Sequence, residues 1–559
     1  GDPAVNQPRR ILTSALLMGL MLFAPLAQAQ NATVKPIVTV AINRLDEIKK
    51  DIIYIASVIS GQPEQTIAAT VELQTGFFTQ GLDQTKPIGI IGTASGITPG
   101  FYAFVPTKNI QQLLAPLAGF GLQLQDAGDG LLVLQTGGLD VYFNQTDTYC
   151  FISNARESVA KPPEDPAKLL DGLTDTYDLA AKLNIQAIPV AQRALAMSQI
   201  RTAMEFSLQR LPDETDAAFE ARRKAAQDSF QQLQEVVDQL DSLTFGLAVD
   251  GEKKRAFVDV SMAAVDGSKL AQQFGAYELA STKLSGFLAE NAAAQLSSAY
   301  VIPPSEAGQI ISTLESAKSQ IDAAINSDPN IPADARELIR SVVGNLMEVA
   351  NGTIEDGEVD MAGSVTTDGG EMKVVAAAKV ANAQKLNDSF KEIIAAAQEQ
   401  GEQLPDIKLD AAQHGSATFH TVSIPIPPFE DQAQRIFGES VDLTVGFGES
   451  HIYFGFGNGN IAALKSAITS SDKDGVDVDP LSGYLSVGSF IGFFADKLDN
   501  PDVKLLAEAI GRGNDKILMT MTSEKNGSKY HIELQEGVLR AIGTVIQLQQ
   551  ANAAVDDPF

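Results

Sequence analysis

Cysteine occurs once in the 559 residues, as Cys150, which excludes an internal disulfide and a cysteine-built metal site. Tryptophan is absent. That removes the platforms on which many sugars stack and the anchors of a membrane interface. Positive charge is scarce: 41 Lys and Arg stand against 70 Asp and Glu, for a net charge of −29. A surface that acidic repels phosphate backbones and anionic lipid heads, which argues against DNA, RNA and acidic membranes as partners. The same charge keeps a protein soluble. Neither a G-x-S-x-G elbow nor an H-E-x-x-H helix occurs, so hydrolases built on those signatures are disfavoured.

What is present is ample core material, with 44% hydrophobic residues and enough length for three to four ordinary domains. Residues 9–29 read as a targeting segment. Arg9 and Arg10 supply the charged start, Ile11 to Phe23 the apolar stretch, and Ala27-Gln28-Ala29 a small-x-small cleavage site. A signal peptide over 1–29 is therefore expected, with the mature chain starting at Gln30. A retained anchor is the rival reading. The paired arginines lack the rest of a twin-arginine motif, which favours general secretion, and no Cys follows the cleavage site as a lipoprotein requires.

The chain repeats itself. Leu243–Val249, Asp250-Gly251 and Arg255–Met262 are followed by a helix with Lys269-Leu270 and Phe274. Val359–Thr366, Asp368-Gly369 and Met372–Lys379 precede a helix with Lys385-Leu386 and Phe390. Ile517–Thr522, Asn526-Gly527 and Lys529–Leu534 lead into a helix from Val538. A fourth copy spans Ile88–Ile91, Ser95-Gly96, Phe101–Val105 and the helix Asn109–Leu117. Asp-Gly and Asn-Gly between alternating strands predict hairpins, since both residues tolerate positive φ. Meanders lie between copies. One comprises Gly121–Gln125, Leu131–Gln135, Val141–Gln145 and Tyr149–Ile152; the other Ile407–Leu409, Ala417–Ile424, Val441–Phe447 and His451–Phe456. Each ends at an Asn, Asn154 or Asn460, read as the N-cap of a helix.

These patterns predict an α+β fold: internally duplicated, with antiparallel sheets, helices packed on one face, and repeated strand–helix–hairpin–helix units. The expected halves are 36–279 and 285–549, followed by a disordered tail at 550–559. Residues 190–241 predict two helices broken at Leu211-Pro212-Asp213, with Phe230, Leu233, Val237 and Leu240 on one face. That stripe reads first as packing on its own sheet, with a partner-binding arm as the alternative.

Four histidines are candidates for chemistry. His414 and His420 are spaced to share a strand face, and His451 opens a nearby strand. Ordinary sheet histidines are the simpler reading than zinc ligands. His531 alternates with apolar neighbours and reads as a solvent-face residue. Gly455-Phe456-Gly457-Asn458-Gly459-Asn460 stands where a dinucleotide loop would, but Asn replaces its last glycine and the strand belongs to a meander. Ser470–Asp479 holds Asp472, Asp474, Asp477 and Asp479 around Gly475. Aligned on that glycine, the end positions of a calcium loop are Ser470 and Leu481, so an acidic linker is favoured. Cys150 sits within an apolar strand, as a small core residue does. No catalytic, cofactor-binding or metal residue emerges, and no cofactor is expected.

Two stretches carry a resemblance. Asp165-Pro166-Ala167-Lys168-Leu169-Leu170-Asp171-Gly172-Leu173 continues to Tyr177-Asp178-Leu179-Ala180-Ala181-Lys182-Leu183-Asn184-Ile185, and the second is Leu243-Thr244-Phe245-Gly246-Leu247-Ala248-Val249-Asp250-Gly251. Together they resemble long exported proteins of planctomycete-type bacteria with no assigned function. The resemblance implies a secreted, periplasmic or cell-envelope setting and brings no catalytic residues. The resulting expectation is a non-enzymatic structural or binding protein, with an unknown protein or apolar small molecule as partner and no stable membrane insertion after signal cleavage. The rival is a carrier of an apolar small molecule or lipid in a cleft between the halves, lined by the apolar window Leu481 to Phe494.

Overall fold

The computed structural model describes residues 36–556 apart from 96–97, 116–122, 136–138, 211–213, 280, 328–330, 400–404, 472–473 and 512. The targeting segment at 1–29 and the Ser95-Gly96 turn fall wholly or partly outside these residues. Packing divides the chain into two compact units, one of residues up to Ile53 with Glu64–Ala248, the other of Tyr54–Pro63 with Val249 onward.

The first unit carries β1 (Val38–Ile42), β2 (Ile88–Ser95), β3 (Thr98–Val105), β4 (Leu124–Gly128), β5 (Leu131–Gln135), β6 (Asp140–Gln145), β7 (Cys150–Ser153), β8 (Leu179–Asn184) and most of β9 (Leu240–Asp250). They pair antiparallel in the order β4-β5-β6-β7-β3-β2-β1-β8-β9. Its helices are α1 (Leu45–Ser60, in part), α2 (Glu64–Thr79), α3 (Ile110–Leu114), α4 (Arg156–Ala160), α5 (Val190–Ser207) and α6 (Asp216–Gln239). A core forms where α3 covers the meander: Ile110, Leu134, Val141, Phe143 and Cys150 pack together, with Cys150 fully buried.

The second unit holds β10 (Arg255–Ala264), β11 (Ser281–Thr282), β12 (Ala294–Val301), β13 (Glu358–Thr366), β14 (Lys373–Lys379), β15 (Asp406–His414), β16 (Ala417–Pro425), β17 (Ser440–Phe447), β18 (His451–Phe456), β19 (Val476–Asp477), β20 (Leu481–Ser486), β21 (Lys516–Glu524) and β22 (Gly527–Gln535). The sheet order is β15-β16-β17-β18-β14-β13-β12-β20-β21-β22-β10, again antiparallel throughout, with β11 and β19 paired separately. Strand for strand, β15 to β21 in this order follow the same path as β4 to β9 in the first unit. Its helices are α7 (Lys269–Ala276), α8 (Pro304–Ser327), α9 (Ala333–Glu355), α10 (Ala383–Glu399), α11 (Asp431–Phe437), α12 (Asn460–Ser470), α13 (Val487–Lys497), α14 (Pro501–Ile510) and α15 (Glu536–Asp556). The fold is α+β.

Helices occupy both faces of this second sheet rather than one. On one face Leu464 and Ala467 of α12 pack with Phe287, Ala362, Ala377 and Phe419. The alternate residues of the same strands turn to the other face, beneath α9 and α10, because strand side chains alternate.

Local chemistry differs from the sequence reading at several points. At Asp250-Gly251 neither residue has positive φ; the four-residue turn 251–254 places Lys254 there at 58°. At Asn526-Gly527 the left-handed residue is Asn526, at 56°, and Gly527 already opens β22. Gly527 serves close approach instead: an added Cβ would lie 2.4 Å from the Met262 carbonyl oxygen of β10. Asn154 does not cap α4, whose N-cap is Ala155 without a side-chain bond; Ser153 Oγ takes the Ala155 N–H at 3.0 Å. Asn460 is the first residue of α12, and its side chain turns inward to the sheet. Of the tail expected at 550–559, residues 550–556 continue α15, and 557–559 lie outside the described residues. In α5 no residue is buried; Leu233 of α6 is exposed, Phe230 and Val237 are half-buried, and Leu240 opens β9. The stripe is therefore less covered than packing on a sheet requires.

Candidate functional site

The register of the second sheet aligns one row of side chains across its strands. Leu296 of β12 faces Gly363 of β13, Gly363 faces Ala376 of β14, Ala376 faces Phe454 of β18, and Phe454 faces Val445 of β17. The next row carries Met361, Ala378, Ile452 and Phe447. The row is low at its centre because Gly363 has no side chain; an added Cβ would stand 3.0 Å from that of Ala376. Large apolar residues rise on either side.

Two helices wall this floor. In α9, Val342 and Leu346 are one turn apart and share a face. In α10, Leu386, Phe390 and Ile393 recur at spacings of four and three. Asn382 begins α10 by accepting the Lys385 N–H at 3.0 Å. Asn345 Nδ2 donates to Ser389 Oγ at 2.9 Å and joins the two helices, beside a Lys385–Glu348 ion pair. Floor and walls enclose a groove of about 650 Å³. That volume lies within the range of small-molecule sites, ~300–1,000 Å³. Leu296, Leu346, Met361, Ile393 and Phe454 line it and are each 39–49% exposed. A cluster of exposed large apolar side chains, rather than isolated ones, marks a binding surface.

His420 packs against Phe390 and Phe447, two residues that line this groove. It is 1% exposed. Its Nδ1 accepts the backbone N–H of Asp410 at 2.9 Å, so Nε2 carries the proton and donates to Asn387 Oδ1 of α10 at 2.7 Å. A register shift between Lys408 and Ala412, with Asp410 at φ 53°, turns that N–H toward the ring. Burial holds the imidazole below its ordinary pKa, against the pull of the Asp410 carboxylate. Phe390, His420 and Phe447 cluster with ring centroids 5.3–6.0 Å apart.

The other candidate residues do not converge here. His414 and His420 lie on two strands joined by a turn at Gly415, and His414 Nε2 meets Thr469 Oγ1 at 3.0 Å. His451 meets Ser450 Oγ at 3.1 Å and stacks on Tyr453; burial lowers its pKa also. His531 is not a plain solvent-face residue. Its Nδ1 bonds the buried Asp259 at 2.6 Å, and Glu533 lies 3.6 Å from Nε2. Its strand's other neighbour, β10, supplies Asp259. Among the described residues no group of three or more His, Cys, Asp or Glu is placed to hold a metal.

The glycine loop after β18 serves backbone packing. Gly457 has φ 93°, and a Cβ there would sit 2.3 Å from the Met372 carbonyl oxygen. Asn460 bonds the Thr444 hydroxyl and donates to the Asp442 carbonyl at 2.9 Å, tying α12 to β17. The acidic stretch Ser470–Asp479 lies partly outside the described residues; its Val476–Asp477 pairs with Ser281–Thr282. The window Leu481 to Phe494 forms β20 and α13, and the groove's lining runs instead from Ala294 to Phe454, all within the second unit. Leu386 and Phe390 stand out in the sequence as repeated residues but not as site residues. Leu296, Met361 and Phe454 carry no sequence signal beyond strand alternation.

No known protein family matches the chain, and no curated protein matches it. Among solved structures it is similar to two described as "Structure of crystal form III of TP0453" and "Structure of crystal form IV of TP0453". The first is 11% identical with a TM-score of 0.21, over 43% of this chain and 82% of that one. The second is 10% identical with a TM-score of 0.18, over 41% and 76%. Superpositions this loose transfer nothing to the groove.

Proposed function

We propose that this is a non-enzymatic binding protein, exported to the periplasm, cell envelope or medium, whose second unit takes up the apolar chain of a small molecule or lipid. The groove over β12, β13, β14 and β18 carries this reading: five large apolar side chains stand exposed around a 650 Å³ space under two helices. Each methylene withdrawn from water contributes about 0.8 kcal/mol. Offsetting a cost of association of ~4–15 kcal/mol would therefore take about five to nineteen methylenes. In this reading the apolar chain is held by residues of the second unit.

The test is titration of the full chain with an uncharged pyrene-labelled hydrocarbon, beside an Ala376→Phe variant that fills the low centre of the floor. Saturable binding by the wild type and at least tenfold weaker binding by a variant that still melts cooperatively is the expected result. Equal binding by both would sink the groove reading. Native mass spectrometry of the chain taken from its own envelope fraction would then give the mass of any natural ligand.

A further inference from the structure

The apolar floor has a direction. Along β14 and β18 the pairs Ala378/Ile452, Ala376/Phe454 and Val374/Phe456 follow one another on one face. Just beyond the ends of these strands, Met372 and Gly457 border a second cavity of about 210 Å³, which Phe456 also lines. Phe437 of α11 stands edge-on to Phe456 there, ring centroids 5.7 Å apart, and continues the apolar surface. The remaining wall changes character: Gln434 and Arg435 of α11 and Lys497 of α13 line it. Lys497 Nζ lies 5.9 Å above the Phe493 ring and close over Gly370, where an added Cβ would be 3.6 Å away.

These cations are not consumed by neighbouring acids. Glu371, which also lines the cavity, pairs with Lys373 at 3.2 Å. Asp499, the carboxylate coupled to Arg435, bonds Lys504 at 2.7 Å. Asp515 borders an adjoining cavity with Lys497 and Asp496, and accepts from Ser486 Oγ at 2.5 Å and the Gly488 N–H at 2.8 Å. Among the described residues neither Arg435 nor Lys497 forms an ion pair with a carboxylate. The chain's net charge of −29 repels anions at long range. That repulsion is screened beyond about 8–10 Å at physiological salt, so cations at the site itself decide what binds.

We propose that the ligand of the groove is an anionic amphiphile, its chain along β14 and β18 and its carboxylate or phosphate head at Arg435 and Lys497. This rests on the groove reading above and adds the head group to it. The full chain is titrated with hexadecanoate, hexadecanoate methyl ester and hexadecyl phosphate. Two cations at a partly exposed site should favour hexadecanoate over its ester by about tenfold. An Arg435→Gln/Lys497→Gln double variant should erase that preference and leave ester binding unchanged, while Lys497→Arg keeps it. Tighter binding of hexadecyl phosphate than of hexadecanoate would support the head site and identify phosphate as its preferred anion. Equal affinity of the wild type for acid, ester and phosphate overturns the head site and leaves the groove standing. No binding of any of the three overturns both.

Discussion

His420 on β16 and Asn387 on α10 meet at 2.7 Å, a buried polar contact between sheet and helix that holds Phe390 at the groove. Removing one partner leaves the other buried and unsatisfied, at a cost of ~1–3 kcal/mol. Asn387→Ala should therefore lower stability by about that amount in chemical denaturation. Because α10 also carries Leu386 and Ile393, the variant should weaken hydrocarbon binding more than an equally destabilising change in α12 does.

The same histidine makes stability depend on pH. Burial depresses the pKa of His420 and His451 in the folded state, whereas unfolding restores about 6.5. Between the folded and unfolded values the unfolded chain binds more protons, so stability rises with pH. The contribution is full above about 6.5 and is lost as pH falls through that value toward the folded pKa. Carboxylates held low by lysine partners, Asp410 by Lys391 and Glu358 by Lys379, add a loss at lower pH still. Denaturation midpoints measured from pH 7.5 to 5 should fall, and His420→Gln should flatten the upper part of that slope. A slope unchanged by the variant would assign the upper limb to other groups.

Cys150 should resist modification. Desolvation pushes its thiol up to about 12, and the side chain is fully buried. Thiolate is the reactive species, so a maleimide should label the native chain only at the rate of opening. Labelling that tracks added denaturant is the expected outcome; rapid labelling in buffer would contradict the packing of β7 under α3.

Strand identity was legible because alternation and turn residues are local. Leu131–Gln135 and His451–Phe456 match the structure residue for residue. The groove was not legible. Ala376 and Ala377 alternate identically whether their faces end beneath α12 or in an open groove, and only tertiary packing separates them. Leu270-x-x-x-Phe274 and Leu386-x-x-x-Phe390 are alike in sequence, yet the first is core and the second lines the site. The environment of His531 is hidden in the sequence for a related reason: its partner Asp259 lies 272 residues away.

Gly527 allows a test of packing with no bearing on ligand. Its missing Cβ would lie 2.4 Å from the Met262 carbonyl oxygen, so Gly527→Ala forces β10 and β22 apart. Overpacking of this kind costs ~1–3 kcal/mol. The variant should melt earlier while binding hydrocarbon as before, since the groove is floored by β12, β13, β14, β17 and β18.

Phe454 and Met361 supply the opposite test. Both are 42% exposed although large and apolar, so replacing them gives up little buried surface. Surface substitutions usually change stability by less than about 0.5 kcal/mol. A site built for folding would punish Phe454→Ser and Met361→Ser in the melt. A site kept open for an apolar ligand should spare the melt and lose affinity, because the floor would then present hydroxyls that must be desolvated without partners. Paired measurement of denaturation midpoint and hydrocarbon affinity on the double variant separates the two. An unchanged midpoint with at least tenfold weaker binding is expected, whereas lost stability with intact binding would return both residues to the core.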